Sequence, residues 1–455
     1  MTRFSSSAKG ALLLALSAAS ACGAQEGGTA RNVLLISIDT LRPDHLSCYG
    51  HERETSPAID ALAKDGVLFR DVSSVCPWTL PAHVSMMTGR YPSRHGVKDE
   101  NQSLSADVPT LATQLAAAGY DTKAVVSSHF VSKRYGLGQG FASYDELAEF
   151  SDLRSEDRRN VNRGEDVTTR AIEWFNARGN RPFFLFLHYY DVHTDFTPKA
   201  AFREQFTAPY AGQIDGTTRQ LVQLRDAGVK LPPDDLRHLR DLYDAEIRQV
   251  DDHIARLMGL LDQLGLAGDT IVVVTSDHGE EFMEHGSLLH GRTHYQEVIA
   301  IPLILRGPGL PKGRVVDQAV SLVDLAPTVL ALVGLEAFEG ADGSDLSVLW
   351  NDGALDGRAL YSEADHDNEV QDMKRMVRID QYKLFYDRVA RTAELYDLAE
   401  DAAETHDLAA EDPERVRWLL ARLEAFMAFE ASGEPLPELS AEQLEDLRQL
   451  GYGGD

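Results

Sequence analysis

The chain of 455 residues is poor in cysteine, with three, and in tryptophan, with four. So little cysteine excludes a disulfide-stapled scaffold and a cysteine-built zinc site. Basic residues are also in deficit: 44 Lys and Arg stand against 72 Asp and Glu, a formal net charge of −28. A surface of that sign repels nucleic-acid phosphates and argues against a nucleic-acid binding surface. It leaves an anionic substrate open, because a metal ion and a few neutral or cationic donors invert the potential inside one cleft. Long apolar runs are missing too: beyond residue 30 no segment is long and apolar enough to cross a bilayer.

What is present begins with Arg3 and Lys9, followed by an apolar run from Ala11 to Ala19, small residues up to Cys22, and a Gly-rich stretch to Ala30. This is the layout of a secretion signal. It resembles a bacterial lipoprotein signal, in which Cys22 becomes the lipidated first residue, although Ala19 stands where Leu is usual. Ordinary cleavage and an uncleaved anchor are the alternatives. The expectation is an exported protein, periplasmic or held on the membrane of a bacterial envelope through Cys22. Cys48 and Cys76 remain, and whether they pair is open, with two unpaired buried thiols the expected case.

From Asn32 onward short apolar runs alternate with helical patterns. Val33 to Ile38 and Ile271 to Val274 read as buried parallel strands, with Phe183 to Leu187, Ile301 to Leu305 and Lys123 to Val126 as further candidates. The clearest helix runs from Asp234 to Leu264, with Leu236, Leu239, Tyr243, Ile247, Val250, Ile254, Leu257 and Leu261 at three- and four-residue spacing. Such alternation implies an α/β sandwich around a mostly parallel sheet. After Trp350 the texture changes to short antiparallel strands at Leu360 to Ser362, Arg375 to Ile379 and Tyr382 to Tyr386, then a helix from Pro413 to Phe429. The expected division is a signal and tether over 1–30, a main α/β domain over 31–350, a smaller C-terminal α+β subdomain over 351–432, and an acidic tail over 433–455.

Ligands of open α/β sheets bind beyond the carboxyl ends of the strands, and there stand Asp39 and the pair Asp277-His278. Carboxylate oxygen and imidazole nitrogen at adjacent strand ends form a plausible divalent-metal set. A lone strand-end Asp is more often a helix cap; two such positions shift the reading towards ligands. Thr79 stands where an N-cap belongs before the helical run Val84 to Met87, and Pro81 suits the first turn. It reads either as a plain cap or as a hydroxyl at an anion-binding helix terminus, ionised by a metal for attack. The local sequence leaves both open. Val272 to Asp277 has the look of a Walker B strand, but no phosphate-binding loop accompanies it, and His290 and His294 lack the glutamate of a metalloprotease pair.

Taken together, Asn32 to Leu46, with its Asp39-Thr40-Leu41-Arg42-Pro43-Asp44 core, resembles the opening motif of sulfatases, and Thr275 to Glu280 with His285-Gly286 resembles a later one. His290 to Glu297, Ile301 to Ile304, Tyr190 to His193 and Glu394 to Leu398 continue the pattern in the family's order. The resemblance implies an alkaline-phosphatase-like sandwich and a metal-dependent hydrolase of anionic esters, small or polymeric. It places the metal at Asp39, Thr40, Thr79, Asp277 and His278, and makes Thr79, His83, His193 and His290 the catalytic candidates. His193 and His290 are candidates for substrate contact or leaving-group protonation, and a second metal on Asp191, His193 and His290 is conceivable.

One departure outweighs the matches. Sulfatases oxidise a cysteine, sometimes a serine, of a Cys-x-Pro-x-Arg motif to formylglycine; here Thr79 occupies the cysteine position and His83 the arginine position. Oxidising a secondary alcohol yields a ketone, so no formylglycine is expected. Cys76 is no substitute, because Trp78 and Leu80 fill its required positions. Thr-x-Pro-x-His is instead similar to nucleotide pyrophosphatases and phosphodiesterases, in which threonine attacks phosphorus. Thr40 stands where many sulfatases carry a second aspartate, and His278 where asparagine is frequent, which on ligand chemistry favours manganese, zinc or iron, while family habit favours calcium. Three readings follow: a phosphate, phosphodiester or phosphonate ester hydrolase using Thr79; a sulfatase without formylglycine; and a surface lipoprotein that keeps the fold only to bind. The leaving group would be selected by loops such as Ser127 to Phe150 and Phe196 to Val229, which carry no readable code.

Overall fold

In the computed structural model, residues 32–147, 163–365, 373–437 and 440 are described. The signal segment with Cys22, the end of the loop expected over 127–150 and nearly all of the acidic tail lie outside them. Among the described residues no helix is long and apolar enough to cross a membrane.

The main sheet has eight strands: β1 (Asn32–Ile38), β2 (Val67–Phe69), β3 (Asp121–Val126), β4 (Ser143–Glu146), β5 (Phe183–Tyr189), β6 (Thr270–Thr275), β7 (Leu303–Arg306) and β8 (Arg314–Val316). Their order across the sheet is β8-β2-β7-β6-β1-β5-β3-β4. All neighbours are parallel except β7, which runs antiparallel to both β6 and β2. The expected strand from Ile301 begins two residues later at Leu303. The sheet is buried on both faces, which is why its central strands are continuously apolar rather than alternating.

Side-chain alternation divides the interior in two. Val33, Leu35, Phe184, Phe186 and Val273 point to one face, where helices α2 (Thr79–Thr88) and α5 (Leu325–Leu332) lie. Leu34, Ile36, Leu185, Leu187, Val272 and Val274 point to the other, covered by α1 (Pro57–Lys64), α3 (Arg163–Ala177) and α4 (Pro233–Gln263). The long α4 presents Leu239, Tyr243, Ile247, Val250, Ile254, Leu257 and Leu261 inward, the stripe its sequence spacing predicts.

A four-stranded antiparallel sheet follows: β9 (Ala359–Asp365), β10 (Met373–Ile379), β11 (Tyr382–Asp387) and β12 (Thr392–Asp397), in that order. Its fourth strand covers most of Glu394 to Leu398, read from sequence as a motif and not as a strand. Helix α6 (Pro413–Met427) packs Leu419, Leu423 and Phe426 with Val377, Leu384 and Leu395 into the core of the first face. The start of the expected tail is not free: Glu434–Pro435 pairs with Gln102–Ser103. Cys48, half-buried, and Cys76, buried, are both free thiols, so Cys48 is more accessible than expected.

Candidate active site and metal centre

The parallel register places the site. Strand β1 lies between β5 and β6, so Asp39, directly after β1, meets residues at the carboxyl ends of both neighbours. Asp39, Asp277 and His278 are fully buried, and one ligand atom of each lies within 4.8 Å of the others. Gly279 permits this bend: a Cβ there would meet the Glu297 carbonyl oxygen at 2.2 Å, so the chain after His278 can lie flat against that backbone only as glycine.

The donor atoms are held in readiness. His278 donates Nδ1–H to the Gly279 carbonyl at 2.9 Å, which leaves the Nε2 lone pair facing Asp277 Oδ2 at 3.4 Å and Asp39 Oδ1 at 3.8 Å. Asp277 Oδ1 accepts from the His278 N–H at 2.9 Å and the Thr40 N–H at 3.3 Å. Its Oδ2, like both carboxylate oxygens of Asp39, is buried with no hydrogen-bond partner. Buried carboxylate oxygens without donors are costly unless a cation meets them, so these residues fit a divalent ion. The electrostatics agree. Burial, then the charges of Asp277 and Glu280, push Asp39 well above the carboxylate range. Burial also opposes the charge on Asp277, but the imidazoles of His278, His83 and His188 hold it below that range.

Thr79 is not the N-cap its sequence position suggests. Trp78 takes that place with extended backbone, and Thr79 is the first residue of α2. Its Oγ1 lies 3.4 Å from His278 Nε2, so the hydroxyl faces the ligand set from a helix N-terminus. Pro81 sits in the first turn as expected. His83 is one helical turn on. It donates Nδ1–H to the Thr79 carbonyl at 2.9 Å and accepts from Ser37 Oγ at 3.0 Å on Nε2. Burial lowers its basicity. With both nitrogens engaged, His83 fixes the Thr79 backbone and is not a free donor to substrate.

Thr40 also differs from a simple ligand. Its hydroxyl donates to the Val192 carbonyl at 2.8 Å, and its backbone is left-handed, with φ of 53°. That conformation is strained for a β-branched residue. The His290 ring lies 4.4 Å from that of His278 and 4.8 Å from that of His193. His290 Nδ1 is 3.1 Å from Glu280 Oε1, and burial pushes the Glu280 carboxyl up to about 8. Burial and then the neighbouring His290 hold His193 well below the usual imidazole range. The structure therefore brings His193 and His290 beside the metal set without making them part of it, at the margin where His290 to Thr293 become partly exposed. Among the described residues, Asp191, His193 and His290 do not converge into a second ligand cluster.

Sequence reasoning missed His188 and Tyr243. His188, inside β5, is fully buried with Nε2 3.3 Å from Asp39 Oδ2. Tyr243 donates its hydroxyl to the Thr40 carbonyl at 2.7 Å and accepts from the Arg42 N–H at 2.9 Å. Each sits in a stretch whose apolar pattern reads as plain core, so only non-local contacts reveal it.

The comparisons with known proteins agree with this architecture. Residues 31–335 match the sulfatase family, and residues 283–427 match the C-terminal region of N-sulphoglucosamine sulphohydrolase. The chain is 26% identical over 481 residues to N-acetylglucosamine-6-O-sulfatase of Bacteroides thetaiotaomicron, covering 87% of this chain and 86% of that protein. It is 25% identical over 395 residues to the multifunctional alkaline phosphatase superfamily protein PehA of Trinickia caryophylli, covering 70% of this chain and 76% of PehA. In fold it is similar to the phosphonate monoester hydrolase of Agrobacterium radiobacter, with a TM-score of 0.71 at 24% identity over 88% of this chain and 95% of the other. The chain belongs to the sulfatase family of the alkaline phosphatase superfamily and is an ester hydrolase.

Proposed function

We propose that this hydrolase cleaves phosphorus esters, a phosphate, phosphodiester or phosphonate, with Thr79 as nucleophile. The observation that carries the reading is the Thr79 hydroxyl, on the first residue of α2 and 3.4 Å from His278 Nε2 beside the orphaned carboxylate oxygens of Asp39 and Asp277. A secondary alcohol cannot supply formylglycine but can attack phosphorus directly. A divalent cation held by Asp39, Asp277 and His278 would supply Lewis-acid activation of the hydroxyl and of a substrate oxygen. Donor chemistry favours manganese, zinc or iron over calcium there.

Thr79 Oγ1 gives up its proton to water and attacks in line, the ester oxygen departs as an alcohol on taking up a proton, and a phosphorylated or phosphonylated threonine is left for water to hydrolyse. The N–H groups of the first turn of α2 stabilise the charged equatorial oxygens, each such donor contributing roughly 3 kcal/mol. His83, bonded to the Thr79 carbonyl, keeps the nucleophile in place. His290, partly exposed, and the buried His193 beside it are placed to contact the departing ester group.

A second reading, sulfate ester hydrolysis without formylglycine, is favoured by the match of residues 283–427 to a sulphohydrolase C-terminal region. Matched nitrophenyl phosphate, phosphodiester, phosphonate and sulfate esters, with several divalent metals, separate the two. Phosphorus-ester turnover abolished in Thr79→Ala supports the first reading, whereas dominant sulfate turnover replaces it with the second. Export with lipidation at Cys22 belongs to the same proposal; labelled palmitate that still enters a Cys22→Ala protein would refute it.

A further inference from the structure

The hairpin that leaves the metal set brings two side chains together. Glu281–Phe282 pairs antiparallel with Leu288–Leu289, Leu289 opposite Glu281, so one step further Glu280 stands opposite His290. There Glu280 Oε1 lies 3.1 Å from His290 Nδ1, with the side chains only 1% and 6% exposed. The Glu280 backbone is pinned on both sides: its N–H donates to the Glu297 carbonyl at 3.0 Å, and its own carbonyl accepts from Arg42 Nη1 at 2.8 Å. Its other carboxyl oxygen, Oε2, is buried with no hydrogen-bond partner. The two guanidinium groups whose charges reach Glu280 are bound to carboxylates of their own, Arg42 to Asp44 and Glu284, and Arg225 to Asp226. Bonding Nδ1 to Glu280 turns the other ring nitrogen, Nε2, away from it, and the ring itself sits against His278 and His193. A buried pair is tolerated best without net charge, and a neutral pair holds one proton between Oε1 and Nδ1 and one on Nε2.

We infer that Glu280 is a positioning residue for the leaving group: bonded to Nδ1, it orients the His290 ring so that Nε2–H hydrogen-bonds the departing ester oxygen. The inference rests on the reading that Thr79 attacks and His290 contacts the group that leaves. Glu280 acts through His290 and does not touch the reacting atoms. Nor is it a third carboxylate ligand, because among the described residues it does not converge with the ligand atoms of Asp39, Asp277 and His278, and those two aspartates already balance a divalent charge. Negative charge grows on the departing oxygen as its bond to phosphorus breaks, and it grows most for a poor leaving group. A donor held at that oxygen therefore matters little for a nitrophenol and most for an alkyl alcohol.

The test is kcat/KM, which reports the step that expels the leaving group, on phosphorus esters running from nitrophenyl through phenyl to alkyl, with bound metal measured by elemental analysis. Glu280→Met keeps the length of the side chain and removes its polar atoms. Glu280→Gln keeps a bond to Nδ1, because its amide N–H donates there and leaves Nε2–H on the ring. The Met variant should lose little on the nitrophenyl ester and on the order of 100-fold on the alkyl ester, with metal content unchanged. The Gln variant should restore the shallow leaving-group dependence of the wild type. His290→Ala should show the steep dependence of the Met variant, and adding Glu280→Met to it should change nothing more. Should the Met variant not fold, Glu280→Asp, whose shorter side chain draws the carboxyl back from Nδ1, takes its place. An equal loss across the series, a loss of bound metal, or a Gln variant as steep as the Met variant overturns the role of Glu280. A wild type that turns over sulfate esters alone overturns the phosphorus reading instead, and the same series built on sulfate esters then decides the role of Glu280.

Discussion

The Tyr243 hydroxyl offers a clean perturbation of the site at a distance from the reacting atoms. Tyr243→Phe removes one oxygen and leaves the ring, which packs edge-on against Phe196 and Phe282. Two groups lose their partner: the Thr40 carbonyl, which accepts from the hydroxyl at 2.7 Å, and the Arg42 N–H, which donates to it at 2.9 Å. Leaving a buried polar group unsatisfied costs about 1–3 kcal/mol, so the pair is expected to cost about 2–6 kcal/mol. The consequence extends to the metal set. Thr40 is held left-handed, a conformation costing about 1–2 kcal/mol for an L-residue, and its N–H supports Asp277 Oδ1 at 3.3 Å. Relaxation of Thr40 withdraws that support, and metal affinity is expected to fall by about 10–100-fold. Burial pushes the Tyr243 phenol well above its ordinary range, so it donates across all working pH. Urea unfolding of metal-free wild type and variant, with metal titration alongside, reads both effects. A shift below about 0.5 kcal/mol with unchanged affinity would refute the claim that Tyr243 pins the turn after β1.

The remaining expectations concern the junction with the C-terminal sheet and the metal itself. His285 contacts Glu297 Oε1 at 2.6 Å and the Glu404 carbonyl at 3.1 Å; burial opposes its charge, but these partners push it up to about 9. A raised imidazole stabilises fully below its ordinary value of about 6.5 and loses that contribution as pH rises through about 9. The melting temperature should therefore fall across this window in wild type and less in His285→Asn; equal slopes would count against the contact. Lys383 Nζ and Glu404 Oε1 form a 2.7 Å pair with neither side chain exposed. Glu404→Gln removes the counter-charge of the ammonium, leaving it the neutral Gln296 Oε1 at 2.9 Å, and should cost about 3–5 kcal/mol in denaturant unfolding, much of which Lys383→Met should recover. Zinc or manganese at about 1,000 times its dissociation constant should stabilise the chelated protein by about 4 kcal/mol, lost in Asp277→Asn. An unchanged melting curve on chelation and reloading would remove the metal set as a stabilising element.

How much of this was legible depends on the range of the interaction that places each residue. The central strands, the α4 stripe and the antiparallel C-terminal strands declare themselves through local periodicity, and their bounds shift by only a few residues in the structure. Asp39, Asp277 and His278 were legible because a polar triplet interrupts the chain where an apolar strand stops, which is a local signal with a chemical meaning. Thr79 was half legible. Its place at a helix start was visible, but capping and facing a metal set look the same in sequence, and the extended backbone of Trp78 decides between them. The roles of Thr40 and His83 shifted for a similar reason, since their hydrogen bonds run to Val192, Tyr243 and Ser37, all distant in sequence.

His188 marks where local reading stops. A single imidazole in Phe-Phe-Leu-Phe-Leu-His-Tyr reads as a core histidine with some backbone partner, and in a half-buried antiparallel strand that would be the sound reading. Here two facts reverse it, and neither is local. The strand is covered on both faces, so the ring has no route to water. The β1–β5 register sets Ser37 against His188, which brings the ring beside Asp39. A shift of one residue would turn the imidazole to the opposite face of the sheet, away from the ligand set. Register between strands about 150 residues apart in the chain follows from the whole fold, whose core must bury both faces at once. The 3.3 Å contact of His188 Nε2 with Asp39 Oδ2 therefore depends on the same condition, and substitutions that slip β5 against β1 should weaken metal binding before they touch any ligand.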